Sequence, residues 1–258
     1  MALAKIRFFS KALGMCVTCN VILPQYKEPN KARKVPVLWL LHGAYGNYSD
    51  WCRRTNIERY AAPYGLAVVM PSGHNSSYTD MAHGMKFYTY IAEELPQVLP
   101  KMLNLSTERE DNFIAGLSMG GAGSMMIGLS KPEQYAAIGC LSAGAVNTHS
   151  NMRKGKFGTF AFGDSSDAAP AYQQPFANAE KIIKAGLPCP RIFHACGDQD
   201  YLLENAHTAR DFFTAIPGNP FDYKYVEAPG AHTWDFWDEH IKQFIAYLKL
   251  PKTTGEFI

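Results

Sequence analysis

Residues 113–123 read Phe-Ile-Ala-Gly-Leu-Ser118-Met-Gly-Gly-Ala-Gly. A short apolar run enters from the left, and a run of helix-compatible residues leaves to the right. Between them stands Gly116-x-Ser118-x-Gly120. The pentapeptide is weak by itself, since chance alone produces it roughly 0.1 times in a chain of this composition. The plain alternative is a tight glycine turn with an incidental serine. The strand before it and the helix after it favour a nucleophile elbow, a strained turn that lifts a serine hydroxyl clear of a sheet. Glycines beside the serine remove side chains that would collide with the neighbouring strand and helix. The turn also sets free N–H groups of a helix N-terminus beside a developing oxyanion.

Working outward, short apolar runs recur. They lie at residues 15–23, 35–41, 66–70, 112–115, 137–141, 191–195 and 222–226. Several are closed by turn residues, as at His42-Gly43 and Pro71-Ser72-Gly73. Continuous apolar runs of this length suit strands buried on both faces of a parallel sheet. Helical patterns fall near 89–102, 121–129, 204–215 and 233–248. In the last, Trp234, Trp237, Ile241, Phe244, Ile245 and Leu248 make one apolar stripe. Strand and helix in alternation predict an α/β fold, a mostly parallel doubly wound sheet. One connection is too long: 49 residues separate Leu141 from Arg191, where a helix and two short loops take roughly 20–25. The excess, about 147–174, holds Phe157, Phe160, Phe162 and Tyr172 and is expected to be a cap inserted over the sheet's C-terminal edge. The whole chain, 1–258, is expected to form a single domain.

Composition limits the partners. With 25 basic against 23 acidic residues, the formal net charge is +2, so bulk charge does not drive binding to nucleic acid. No apolar run approaches the roughly 20 residues of a membrane span. The first ten residues carry Lys5 and Arg7 inside their apolar stretch, a poor signal peptide. The expectation is a soluble, cytoplasmic protein whose six cysteines are free thiols. A homo-oligomer stays open.

A serine hydroxyl needs an adjacent base. Of eight histidines, His207 and His240 fall inside helical patterns, and His194 inside a strand-like run. His74, His83 and His149 lie upstream or in the expected cap. His232 stands in Ala228-Pro-Gly-Ala-His232-Thr-Trp, after the last strand and before the last helix, where this type of fold places its base. The orienting acid belongs on the turn after the preceding strand. There Cys196-Gly-Asp198-Gln-Asp200 offers two aspartates. The first more often closes such a turn by accepting its own downstream N–H groups, and the second projects further toward the site. Asp164 is a remote third. The order serine, aspartate, histidine is that of α/β hydrolases and differs from chymotrypsin and subtilisin. A second oxyanion donor is expected from Leu41-His42-Gly43-Ala44: the N–H of Ala44 would join that of Met119. His42 reads as structural.

These segments together resemble the esterase D group of α/β hydrolases, with S-formylglutathione hydrolases, tributyrin-type carboxylesterases and feruloyl or acetyl esterases. The resemblance is strongest to the tributyrin-type enzymes. It rests on Leu40-Leu-His-Gly43 with Trp51, Tyr78-Thr-Asp80-Met-Ala-His-Gly84, Tyr90-Ile-Ala-Glu-Glu-Leu-Pro96, Ala115-Gly-Leu-Ser-Met-Gly-Gly121, Cys196-Gly-Asp-Gln-Asp200-Tyr-Leu and Gly230-Ala-His-Thr-Trp234-Asp-Phe-Trp237. It implies Ser118 as nucleophile, Asp200 as acid, His232 as base, and Ala44 and Met119 as oxyanion donors. The S-formylglutathione branch carries a threonine–cysteine pair after the oxyanion glycine. Here Ala44-Tyr45-Gly46-Asn47 stands there, which favours oxygen esters.

The functional expectation is a serine carboxylesterase for small acetyl to butyryl esters, with aromatic acyl groups admitted if rings stack. Tyr45, Trp51, Trp234, Phe160 and Phe162 are expected to wall the substrate pocket. The rivals are a thioesterase of the S-formylglutathione type, an acyltransferase on the same fold, and a silent hydrolase used as a binding module. No cofactor or metal is implied. Cys16-x-x-Cys19 lacks a partner motif at zinc spacing, and residues three apart on a strand point to opposite faces.

Overall fold

Strands β3 (Val37–Leu41), β4 (Ala67–Pro71), β5 (Asn112–Leu117) and β6 (Ala137–Leu141) are buried at every residue. Such strands need cover on both faces, and the chain supplies it with helices. In the computed structural model, which describes residues 1–25, 34–144, 160–163 and 169–253, these four belong to one sheet. β1 (Ala2–Ser10) and β2 (Met15–Leu23) form its antiparallel margin, and β7 (Arg191–Gly197) and β8 (Lys224–Ala228) extend the other side. The strand order is β1-β2-β4-β3-β5-β6-β7-β8. Every pairing from β4 to β8 is parallel.

The period of two along each strand sorts the core into two layers. On one face Val37, Trp39, Leu41, Ile114, Ile138 and Ile192 join Leu95 and Leu99 of α3 (Leu95–Met102), Met125 and Ile127 of α4 (Met119–Ser130), Ile182 of α5 (Pro175–Lys184) and Phe213 of α6 (Leu203–Ala215). On the other face Leu38, Leu40, Phe113, Leu117 and Phe193 meet Trp51 of α1 (Asp50–Arg54), Ile57 of α2 (Ile57–Ala61) and the stripe Phe236, Trp237, Ile241, Phe244 and Ile245 of α7 (Trp234–Tyr247). Each large apolar side chain buried this way contributes about 1.5–3 kcal/mol relative to exposure.

The expected fold class is the observed one, with local differences. β1 was not expected. Its alternation is legible in hindsight: Leu3, Lys5, Arg7 and Phe9 face out, while Ile6 and Phe8 pack inward. The expected helix at 89–102 is a π-helical segment, Thr89–Glu94, running into α3. The strand read at 222–226 starts two residues later, because Asp222 takes a left-handed φ of 43°. Cys16 is exposed and Cys19 buried, on opposite faces of β2, and burial pushes the Cys19 thiol up to about 12. Most of the expected cap, with His149 and Asp164, lies outside the described residues. Its described end is anchored: Tyr172 stacks on Tyr88 at 3.8 Å, and its hydroxyl accepts the Asp80 N–H. Among the described residues, no helix is long and apolar enough to cross a membrane.

Candidate active site

Ser118 sits between β5 and α4 at φ 52°, ψ −120°, a conformation that costs a non-glycine residue about 1–3 kcal/mol. Packing on both sides enforces it. A Cβ on Gly116 would lie 2.4 Å from the Gly120 carbonyl oxygen. A Cβ on Gly120 would lie 2.5 and 2.6 Å from the carbonyl oxygens of His42 and Leu41 at the end of β3. The two motif glycines thus allow strand, elbow and helix to close on one another.

The three residues expected to act together do meet. The Ser118 hydroxyl donates to His232 Nε2 at 2.9 Å. His232 Nδ1–H faces both carboxylate oxygens of Asp200, at 3.0 and 2.9 Å. The Asp200 side chain is fully buried, and that of His232 is 15% exposed. Burial alone would raise the Asp200 pKa. Hydrogen bonds from His232, the Leu202 N–H and the Ser142 hydroxyl outweigh it and hold the group below its ordinary value. Ser142, at the end of β6, was missed by the sequence reading. Its hydroxyl also accepts the Trp237 indole N–H at 2.8 Å. The only sequence signal for it was its place just after a central strand.

The two aspartates divide their tasks differently from the expectation. Asp200 closes its own turn by accepting the Leu202 N–H at 2.8 Å while also holding His232. Asp198 reaches away from its turn and accepts the Gly230 N–H at 3.1 Å.

The turn after β3 packs directly on the elbow. A Cβ on Gly43 would stand 3.5 Å from that of Ser118, so Ala44 comes beside Ser118. Met119 opens α4, where first-turn N–H groups lack intrahelical partners. His42 braces this turn as a neutral imidazole. Nδ1–H donates to Gly43 O at 2.6 Å, and Nε2 accepts the Gly73 N–H at 2.8 Å. Burial lowers its pKa, which suits that neutral form. The buried Tyr78 hydroxyl donates to His42 O at 2.9 Å.

A cavity of about 300 Å³ opens on Ser118, lined by Ala44, Tyr45, Asn75, Ser77, Met119, Ala122, Ala143, Tyr201 and Leu202. Of the five expected wall residues, only Tyr45 lines it. Trp51 is 1% exposed and donates its indole N–H to Leu41 O. Trp234 packs edge-on between Trp51 and Trp237, and Trp237 packs edge-on to His232. These tryptophans therefore form a wall behind the imidazole: α7 turns its apolar stripe toward the sheet and carries Trp234 and Trp237 with it, and Trp51 meets them from α1. Phe160 is exposed, and its carbonyl accepts the His83 N–H. Neither Phe160 nor Phe162 lines this cavity. Asn75, Ser77, Tyr201 and Leu202 come from loops whose approach no sequence pattern encodes.

Comparison with known proteins agrees with this architecture. The Esterase family model, described as "Putative esterase", matches residues 10–248. An acetyl esterase of Caldicellulosiruptor saccharolyticus is 31% identical over 257 residues, covering 93% of this chain and 96% of that one. Among solved structures, the fluorophosphonate-binding serine hydrolase FphF of Staphylococcus aureus superposes with a TM-score of 0.85 at 30% identity, covering 96% of this chain and 98% of that one. An S-formylglutathione hydrolase, FrmB, of the same organism gives 0.83 at 29%, covering 96% and 99%. The chain belongs to this esterase family and is a carboxylic ester hydrolase of the α/β-hydrolase fold.

Proposed function

We propose that the chain is a serine carboxylesterase acting on small oxygen esters with acyl groups from acetyl to butyryl. The observation that carries this reading is His232 bridging Ser118 and the buried Asp200 at 2.9 Å on each side. Ser118 Oγ attacks the ester carbonyl while His232 Nε2 takes its proton. Asp200 fixes the imidazole tautomer and faces the imidazolium that forms. The carbonyl oxygen becomes an oxyanion beside the N–H groups of Ala44 and Met119. His232 then returns its proton to the departing alkoxy oxygen, leaving an acyl-Ser118. A water that gives its proton to His232 releases the acid and restores the serine.

Substrate size follows from the cavity. Its apolar wall is Met119, Ala122, Ala143 and Leu202. Each methylene buried there gains about 0.8 kcal/mol until the space is full. A volume of about 300 Å³ suits a short acyl chain with part of its alcohol. Ala44-Tyr45-Gly46-Asn47 after the oxyanion turn supports an oxygen ester over a glutathione thioester.

The test is a series of p-nitrophenyl esters from acetyl to decanoyl, with S-formylglutathione alongside. A maximum kcat/KM at two to four acyl carbons is expected. A maximum at decanoyl, or a clear preference for the thioester, would overturn the substrate reading. Ser118→Ala should lose several orders of magnitude in kcat. Mass spectrometry after a fluorophosphonate probe should find the adduct on the peptide that carries Ser118.

A further inference from the structure

Tyr201 follows the acid Asp200, and the mechanism above makes no use of it. It is 74% exposed, yet its backbone is fixed on both sides. The Asp200 N–H donates to Gly197 O, the Leu202 N–H to the Asp200 carboxylate, and the Leu203 N–H to Asp200 O. Its ring lies 4.5 Å from the His232 ring, tilted by 46°. That imidazole accepts the Ser118 hydroxyl at 2.9 Å through Nε2. Tyr201 lines the same cavity as Ser118, with Ala44 and Met119.

This places a phenol on a particular side of the reacting centre. The tetrahedral carbon formed on Ser118 carries two further oxygens. One turns toward Ala44 and Met119, where the backbone donors are. The other, the alkoxy oxygen, must turn toward His232, which holds the proton it needs. Tyr201 stands against the His232 ring and lines the cavity with Ser118, which puts it on that second side. Burial and then the Asp200 charge push its pKa above the ordinary tyrosine value, so the phenol is a standing donor at neutral pH.

We propose that Tyr201 is a leaving-group donor of this site: its O–H hydrogen-bonds the alkoxy oxygen as the carbon–oxygen bond breaks, and positions the hydrolytic water in the second half-reaction. The proton that leaves with the alcohol still comes from His232, which took it from Ser118. The bond from carbon to the alkoxy oxygen breaks, its electron pair stays on that oxygen, and Tyr201 keeps its own proton throughout. The inference rests on Ser118 and His232 acting as proposed above.

A poor leaving group builds more charge on its oxygen than a good one, so a donor placed there matters most for alkyl esters. The experiment compares the full-length wild type with Tyr201→Phe on acetate esters of p-nitrophenol, phenol, trifluoroethanol and ethanol. It reads the slope of log kcat/KM against the pKa of the leaving alcohol. Loss of one hydrogen bond predicts that the variant falls about tenfold further on ethyl acetate than on p-nitrophenyl acetate, giving a steeper slope. Tyr201→Leu, which also removes the ring beside His232, should share that slope with an added loss common to all esters. Parallel slopes for wild type and Tyr201→Phe, at any level of activity, would overturn the proposal while leaving the hydrolase reading intact. A wild type that cleaves none of these esters would instead overturn the reading beneath it.

Discussion

The carboxylate of Asp198 accepts the N–H of Gly230 at 3.1 Å, two residues before His232. Two backbone bonds run beside it: the Asp198 N–H donates to Ala228 O, and the Gln199 N–H to Gly230 O. The turn that carries Asp200 and the loop that carries His232 are thus tied together independently of the Asp200–His232 contact. Asp200→Asn should lower kcat by about 10⁴-fold, since the imidazole loses its tautomer partner. Asp198→Ala removes only the side-chain bond of that tie. It should cost about 1 kcal/mol of stability and far less activity. Steady-state kinetics with urea unfolding of both variants checks this; a larger kcat loss at position 198 would reverse the assignment.

Cavity size is adjustable at Ala122, which lines the space beside Ser118. Ala122→Leu should displace the outer two methylenes of a butyryl chain. At about 0.8 kcal/mol each, the ratio of butyrate to acetate kcat/KM should drop about tenfold. An unchanged ratio would place the acyl chain elsewhere.

Gly120 has no room for a side chain, because the atoms nearest its missing Cβ are backbone oxygens of Leu41 and His42. Gly120→Ala must push the elbow away from β3. A cost of about 1–3 kcal/mol is expected, together with a kcat loss, because Ser118 and the Ala44 turn separate. Thermal unfolding and p-nitrophenyl acetate kinetics read the two effects. A variant as stable and as active as wild type would show that the elbow has slack.

His194 is fully buried in β7, with Nε2–H donating to Ala143 O and Nδ1 accepting from the Tyr223 hydroxyl. Burial pulls its pKa from 6.5 down to about 4. Between these values the unfolded chain binds a proton that the folded chain refuses. Stability therefore rises with pH across that window and is fully present above it. The single-site contribution is roughly 3 kcal/mol. Urea unfolding at pH 7 and pH 4.5 should show the fall, and His194→Gln should flatten it. An identical slope in the variant would assign the pH dependence to other groups.

The parallel part of the sheet and the three side chains that meet, Ser118, Asp200 and His232, were legible in the sequence alone. Both rest on local signals. A strand buried on both faces must be apolar throughout, as at Val37–Leu41. An elbow must be built from small residues, and Ser118 follows a fully buried strand, whereas Asp200 and His232 follow β7 and the partly exposed β8. What lies around them was decided only in three dimensions. Trp51 and Trp234 had the composition of a substrate wall, yet the packing of α1 and α7 on the same face of the sheet put them behind the imidazole. Ser142, Asn75 and Tyr201 carry no local signature, being a serine, an asparagine and a tyrosine on three separate loops. Asn75 and Tyr201 reach one cavity, and Ser142 lies beneath it against Trp237, because parallel strands all end at the same edge of the sheet. Periodicity reports the face that a residue takes on its own element, whereas a pocket is defined by distances between elements.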